Sequence, residues 1–108
     1  MHHCPIANGD FWLQNNVDDY VQWARVHNSL LILTCDEDDN VTQANQIPMV
    51  FTGANVKLGH TSANTVTHYD VLRTIGDMYG LSSLGNAVNA ATIDDVWVDD
   101  RFFVNGFE

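Results

Sequence analysis

Four consecutive carboxylates, Asp36-Glu37-Asp38-Asp39, follow directly on the apolar run Leu30-Leu31-Ile32-Leu33-Thr34-Cys35. Like charges at neighbouring positions repel one another, and a bound hard cation is the simplest relief. An acidic oxygen donor set of this kind suits Mg, Mn or Ca, with water completing the shell. The rival reading is a solvated acidic turn after a core strand. The spacing is not that of an EF-hand, because the sixth loop position is Val41 rather than Gly and the twelfth is Ile47 rather than Glu. Cys4, Cys35 and the histidines have no recognised zinc spacing. The two thiols read as free, with Cys35 packed as a small apolar residue, and a disulfide between them stays open. Were Met1 a free N-terminus, His3 would offer an amine, amide and imidazole site for Cu(II) or Ni(II), as incidental chemistry. No P-loop, dinucleotide fingerprint or Gly-x-Ser-x-Gly elbow occurs.

The carboxylates need a scaffold that presents them. A short apolar run without polar alternation reads as a strand buried on both faces of a parallel sheet. In open α/β sheets ligands bind beyond the carboxyl ends of the strands, which is where the acidic cluster falls. Before it, Leu13, Val17, Tyr20, Val21 and Ala24 recur at spacings of three and four. They predict a helix from Asp10 to His27, capped by Asp10 and stopped at Asn28, with His27 at its negative pole. Trp12 and Trp23 flank that stripe as packing residues. After the cluster, Ile47-Pro48-Met49-Val50-Phe51-Thr52 is a second strand, with Pro48 at its beginning. Thr67 and Asp70 form a capping box for a second helix, with Val71, Leu72, Ile75, Met78 and Tyr79 on its buried face and Gly80 at its end. His68 in its first turn reads as a structural or surface residue. Asn86 to Ala91 reads as a short helical turn, Asp94 to Trp97 as an irregular segment closing on the body, and Arg101 to Glu108 as a short strand or tail. Leu31, Leu33, Val50, Val71 and Ile75 are expected to share one core.

At 108 residues the chain has room for one modest core, and 45% hydrophobic content argues for a globular fold. Fourteen acidic and four basic residues give a net charge of −10. Such a surface has little with which to neutralise a run of phosphates, so binding to nucleic acid or anionic membranes is disfavoured, and no nucleic-acid partner is expected. No stretch has the length of a transmembrane helix, and the first residues lack the basic and apolar regions of a signal peptide.

Four blocks carry a resemblance. Gly9 to Leu13, His27 to Asp39, Asn45 to Pro48 and His68 to Ile75 resemble, in order and spacing, the C-terminal part of the phosphoesterase family. That family contains bacterial and fungal acid phosphatases and bacterial phospholipases C within the alkaline phosphatase superfamily. The likeness runs from about Met1 to Trp97. It implies that residues 1–108 are the C-terminal portion of a phosphoesterase domain, with 81–108 as an irregular tail. The implied fold is part of a three-layer α/β sandwich of parallel strands with flanking helices. The implied substrate is a phosphate ester, attacked by a Ser or Thr nucleophile while a divalent metal stabilises the transferring group.

On this resemblance Asp36 and Glu37 fall on the family's metal-binding acids. His2, in a Met-His pair, falls where a residue contacts the phosphate or protonates the leaving group. The nucleophile and remaining ligands belong to a portion N-terminal to this stretch, so the chain alone is expected to be inactive. Its uncovered apolar surface is expected to favour self-association. Full-length members are extracytoplasmic or secreted. The sequence departs from the family at Cys35 (usually a large aromatic), Gly76 (Glu), Ser82 (Pro), His3-Cys4 (Asp-Gly) and Ala54 (Pro). The alternative function is a small acidic, non-catalytic cation-binding or interaction domain derived from such an enzyme.

Overall fold

A computed structural model describes residues 5–38, 41 and 47–99. The elements follow the expected order: helix α1 (Ile6–Ala24), strand β1 (Leu30–Thr34), strand β2 (Met49–Gly53), helix α2 (His68–Met78) and a 3-10 turn (Gly85–Asn89). None of the described helices is long and apolar enough to cross a membrane.

α1 begins four residues earlier than its apolar stripe suggested. Pro5 occupies the N-cap and its carbonyl accepts from the Asn8 amide at 2.9 Å. Proline's fixed φ is already suited to a helix entry, so the start moves to Pro5 and Asp10 lies inside the helix. At the other end the helix stops at Ala24, three residues before the expected His27, with Arg25 as its right-handed C-cap and no basic residue in its last turn. His27 stacks on Trp23, with ring centroids 4.3 Å apart, and its Nδ1 lies 2.8 Å from the Trp23 carbonyl at the carbonyl-rich pole.

β1 and β2 pair antiparallel, with Leu30 opposite Gly53, Ile32 opposite Phe51 and Thr34 opposite Met49. This corrects the expectation of parallel strands. An apolar run carries no direction, and the connection 35–48 returns the chain alongside β1 in the opposite sense. Nor is β1 buried on both faces, since Leu33 is 38% exposed. The period of two in a strand explains the division. Leu30, Met49 and Phe51 pack on the core of Met78, Ile93, Val96 and Trp97. Leu33 and Val50, paired with each other, project from the opposite face toward α1, where Val50 is 54% exposed. Leu33 and Val50 therefore do not share a core with Val71, contrary to expectation.

Trp97 closes the core from the C-terminal side. It is 2% exposed, meets Phe51 edge-on at 5.6 Å, and donates its indole N–H to the Ile93 carbonyl at 2.6 Å. Its backbone forms an isolated antiparallel bridge with Val56.

α2 has the expected capping box. The Thr67 hydroxyl accepts from the Asp70 amide, and the Asp70 carboxylate accepts from the Thr67 amide at 2.7 Å. Its end is a Schellman motif: the Leu81 amide donates to Gly76 O at 2.8 Å and the Gly80 amide to Asp77 O at 3.2 Å, with Gly80 at φ +61°. The buried face differs from the apolar positions named above. Leu72 and Tyr79 are 42% and 55% exposed, while the hydroxyl residue Thr74 is wholly buried. Thr74 pays no desolvation penalty, because its hydroxyl donates to Asp70 O at 2.7 Å and accepts from the Ile93 amide at 2.9 Å.

Candidate functional site

β1 ends at Thr34, and the chain bends at Asp36 and Glu37 immediately beyond it. A continuing strand would send two adjacent side chains to opposite faces, so the bend is the local condition for both carboxylates to serve one site. Both residues are exposed, while Asp38 is half-buried. One contact ties the bend to the rest of the fold. His68, the first residue of α2, places its Nε2 3.1 Å from the Asp36 carbonyl. With a carbonyl as acceptor, that nitrogen carries the proton and donates.

His68 thus anchors the acidic bend from a position thirty-two residues away in the chain. By sequence alone His68 reads as a structural or surface histidine, with nothing to link it to the cluster. A first-turn position in a helix does not say which loop the helix start will face, so no local signal was present. Asp39 and His2, like His3 and Cys4, lie outside the described residues. Among the described residues no group of three His, Cys, Asp or Glu side chains is arranged to hold a metal ion. Cys35 is a free thiol and half-buried. It lines an apolar cleft of about 630 Å³ with Trp12, Leu13, Leu33, Pro48 and Val50, between α1 and the sheet.

A second cluster was not foreseen. Asp95, in the segment read as an irregular closure, faces His60 and Asn64 at 3.5 and 3.3 Å, while its carbonyl accepts from Lys57 Nζ at 2.9 Å. The Ser62 hydroxyl, against the opposing effect of burial and with help from His60, holds the Asp95 carboxyl below the usual carboxylate range. Its role is to fasten the loop 57–66 to the C-terminal segment.

A third set of polar groups runs down one side of α2. Asp70 accepts from the Ala91 amide at 2.9 Å, Thr74 from the Ile93 amide, and Asp77 from the Thr92 hydroxyl and from Arg73. These acceptors at i, i+4 and i+7 fall on one helical face. They latch residues 91–93 in place, which leads the chain into Trp97.

Residues 1–82 match the model of the Phosphoesterase family. A phosphatidylinositol-3-phosphatase of Mycobacterium tuberculosis (strain ATCC 25618 / H37Rv) is 48% identical over 99 residues, which cover 92% of this chain and 32% of that protein. The chain therefore spans about a third of the length of the curated relative it matches. No solved structure matches it.

Proposed function

Because this chain belongs to the phosphoesterase family, whose relatives include a phosphatase, we propose that it is the C-terminal part of a metal-dependent phosphoric-ester hydrolase, of acid phosphatase or phospholipase C type. The observation that carries this reading is the acidic pair on a bend at the end of β1, tethered by His68 through the Asp36 carbonyl. The donor chemistry fits a hard divalent cation, since both side chains offer carboxylate oxygens. Two carboxylates fill only part of a six- to eight-oxygen shell, leaving positions for water and for ligands from outside the described residues.

In this reading Asp36 and Glu37 would hold the cation, which supplies charge stabilisation for the transferring phosphoryl group when bound. His2 contacts the phosphate or protonates the leaving group. His68 sets the position of the loop by fixing the Asp36 backbone. The nucleophile lies in the part of the domain that this third does not span. Among the hydroxyls near the bend, Thr34 Oγ1 donates to the Cys35 carbonyl at 3.2 Å rather than to a base.

Two measurements test this. Calorimetric titration with Mg, Mn or Ca should give weak binding that Asp36→Ala removes. Assay against an aryl phosphate should give no turnover by the chain alone. Turnover well above background that vanishes in Asp36→Ala would show a self-sufficient site and overturn the reading of a partial enzyme.

A further inference from the structure

α1 covers only part of the sheet face turned toward it. Leu33 and Val50, paired across the ladder, are 38% and 54% exposed, and Trp12 on the facing helix is 59% exposed. Between them lies the cleft of about 630 Å³, within the range of roughly 300–1,000 Å³ that small organic ligands occupy. Gly9 and Leu13 line its helix side one turn apart, and Gly9 brings no side chain into the space. Asn8 and Thr34 are its polar members, and no charged residue lines it.

Cys35 sets how far the cleft extends toward the acidic bend. It is half-buried, it lines the cleft beside Thr34, and the next residue in the chain is Asp36. This is also a position where the sequence departs from the phosphoesterase pattern, in which a large aromatic is usual. A thiol on a single carbon leaves open the space that such a ring would fill.

We propose that the cleft is a hydrocarbon subsite, opened by the small side chain of Cys35, which takes the alkyl portion of a phosphate ester whose phosphate lies at the acidic bend. The inference rests on the reading of that bend as the phosphate-binding end of the site. Contiguity selects this occupant, because the chain passes from the lining of the cleft to the first carboxylate in one residue. An uncharged, largely apolar lining would leave the hydroxyls of a polyol without partners, whereas a hydrocarbon chain needs none. A second copy of the chain is the poorer occupant, because each copy brings a net charge of −10 to the contact.

The test uses the full chain carrying Cys4→Ser, so that Cys35 is the one thiol left to react with N-ethylmaleimide. The probes are alkyl phosphates from methyl to octyl, with Mn present. Octyl phosphate should slow the alkylation of Cys35 and methyl phosphate should not, with affinity rising about two- to fourfold for each CH₂ taken up. In calorimetric titration Cys35→Trp should abolish this dependence on chain length, and Cys35→Ala should keep it. If Cys35→Trp fails to fold, the alkylation series decides alone. Protection that does not depend on chain length would overturn the proposal, as would an undiminished dependence in a folded Cys35→Trp. So would protection that is complete without any probe and is lost on dilution, which marks a second copy in the cleft. 1-Octanol, which has no phosphate, should protect Cys35 equally in the parent and in Asp36→Ala. Protection by octanol where Mn and methyl phosphate fail to bind would support the subsite and overturn only the reading of the bend.

Discussion

A methyl group on Gly53 would sit 2.3 Å from the Ser29 carbonyl oxygen and 3.0 Å from the Leu30 Cα. Both neighbours are backbone of the paired strand, so relief requires the strands to part. Gly53→Ala should therefore destabilise the chain by about 3 kcal/mol, the upper end for overpacking, measured by urea denaturation. At the acidic bend the decisive residue is His68, because its hydrogen bond goes to backbone rather than to either carboxylate. His68→Gln retains a donor at reduced reach, and His68→Ala retains none. If the bend holds the proposed cation, His68→Ala is expected to weaken that binding less than Asp36→Ala does, since it loosens the loop without removing a proposed ligand. Equal loss in both variants would mean that His68 is itself a ligand.

At the level of elements, α2 is specified at both ends and along one side. Thr67→Ala removes one half of the capping box and should cost about 1 kcal/mol. Its polar side makes a pH-dependent latch. Burial raises the Asp70 pKa, but the Thr67 hydroxyl, the Thr67 amide and the Ala91 amide together bring it below the ordinary carboxylate range. The Thr92 hydroxyl, followed by Arg73, does the same for Asp77 against the effect of burial. A carboxyl whose folded pKa is depressed stabilises the fold fully above its unfolded value, about 4. That contribution is lost as pH falls through the folded value. Asp77→Asn should accordingly be less stable than the parent at pH 7, with the gap closing below about pH 4 in thermal melts. A gap independent of pH would place the effect of Asp77 in packing rather than in charge.

Across the whole molecule, one buried indole joins parts distant in sequence. Trp97 touches the sheet through Phe51, bonds Ile93 and bridges to Val56. Trp97→Ala should cost about 3–5 kcal/mol, enough to unfold a domain of marginal stability. Trp97→Phe keeps an aromatic edge for Phe51 but leaves the Ile93 carbonyl without its donor, at about 1–3 kcal/mol. Denaturation followed by far-ultraviolet circular dichroism would order the two variants. The α1 side of the sheet is of a different character. Trp12 and Phe11 are 59% and 68% exposed, and the cleft between α1 and the sheet is apolar.

Local and periodic features were legible in the amino-acid sequence alone. The capping box at Thr67, the glycine stop at Gly80, the apolar runs of both strands and the order of the elements all follow from interactions within a few residues. The four blocks that resemble the phosphoesterase family were legible for the same reason, as residues at fixed short spacings. Relations between segments were not. Strand direction, the division of Leu33 and Val50 from the Trp97 core, and the reach of His68 to Asp36 depend on how distant pieces of chain meet. The same holds for the polar ladder of α2, where Asp70, Thr74 and Asp77 look like a wet helical face until residues 91–93 arrive to use them. A side chain's type states what bonds it can make, and only the fold brings the partner to make them.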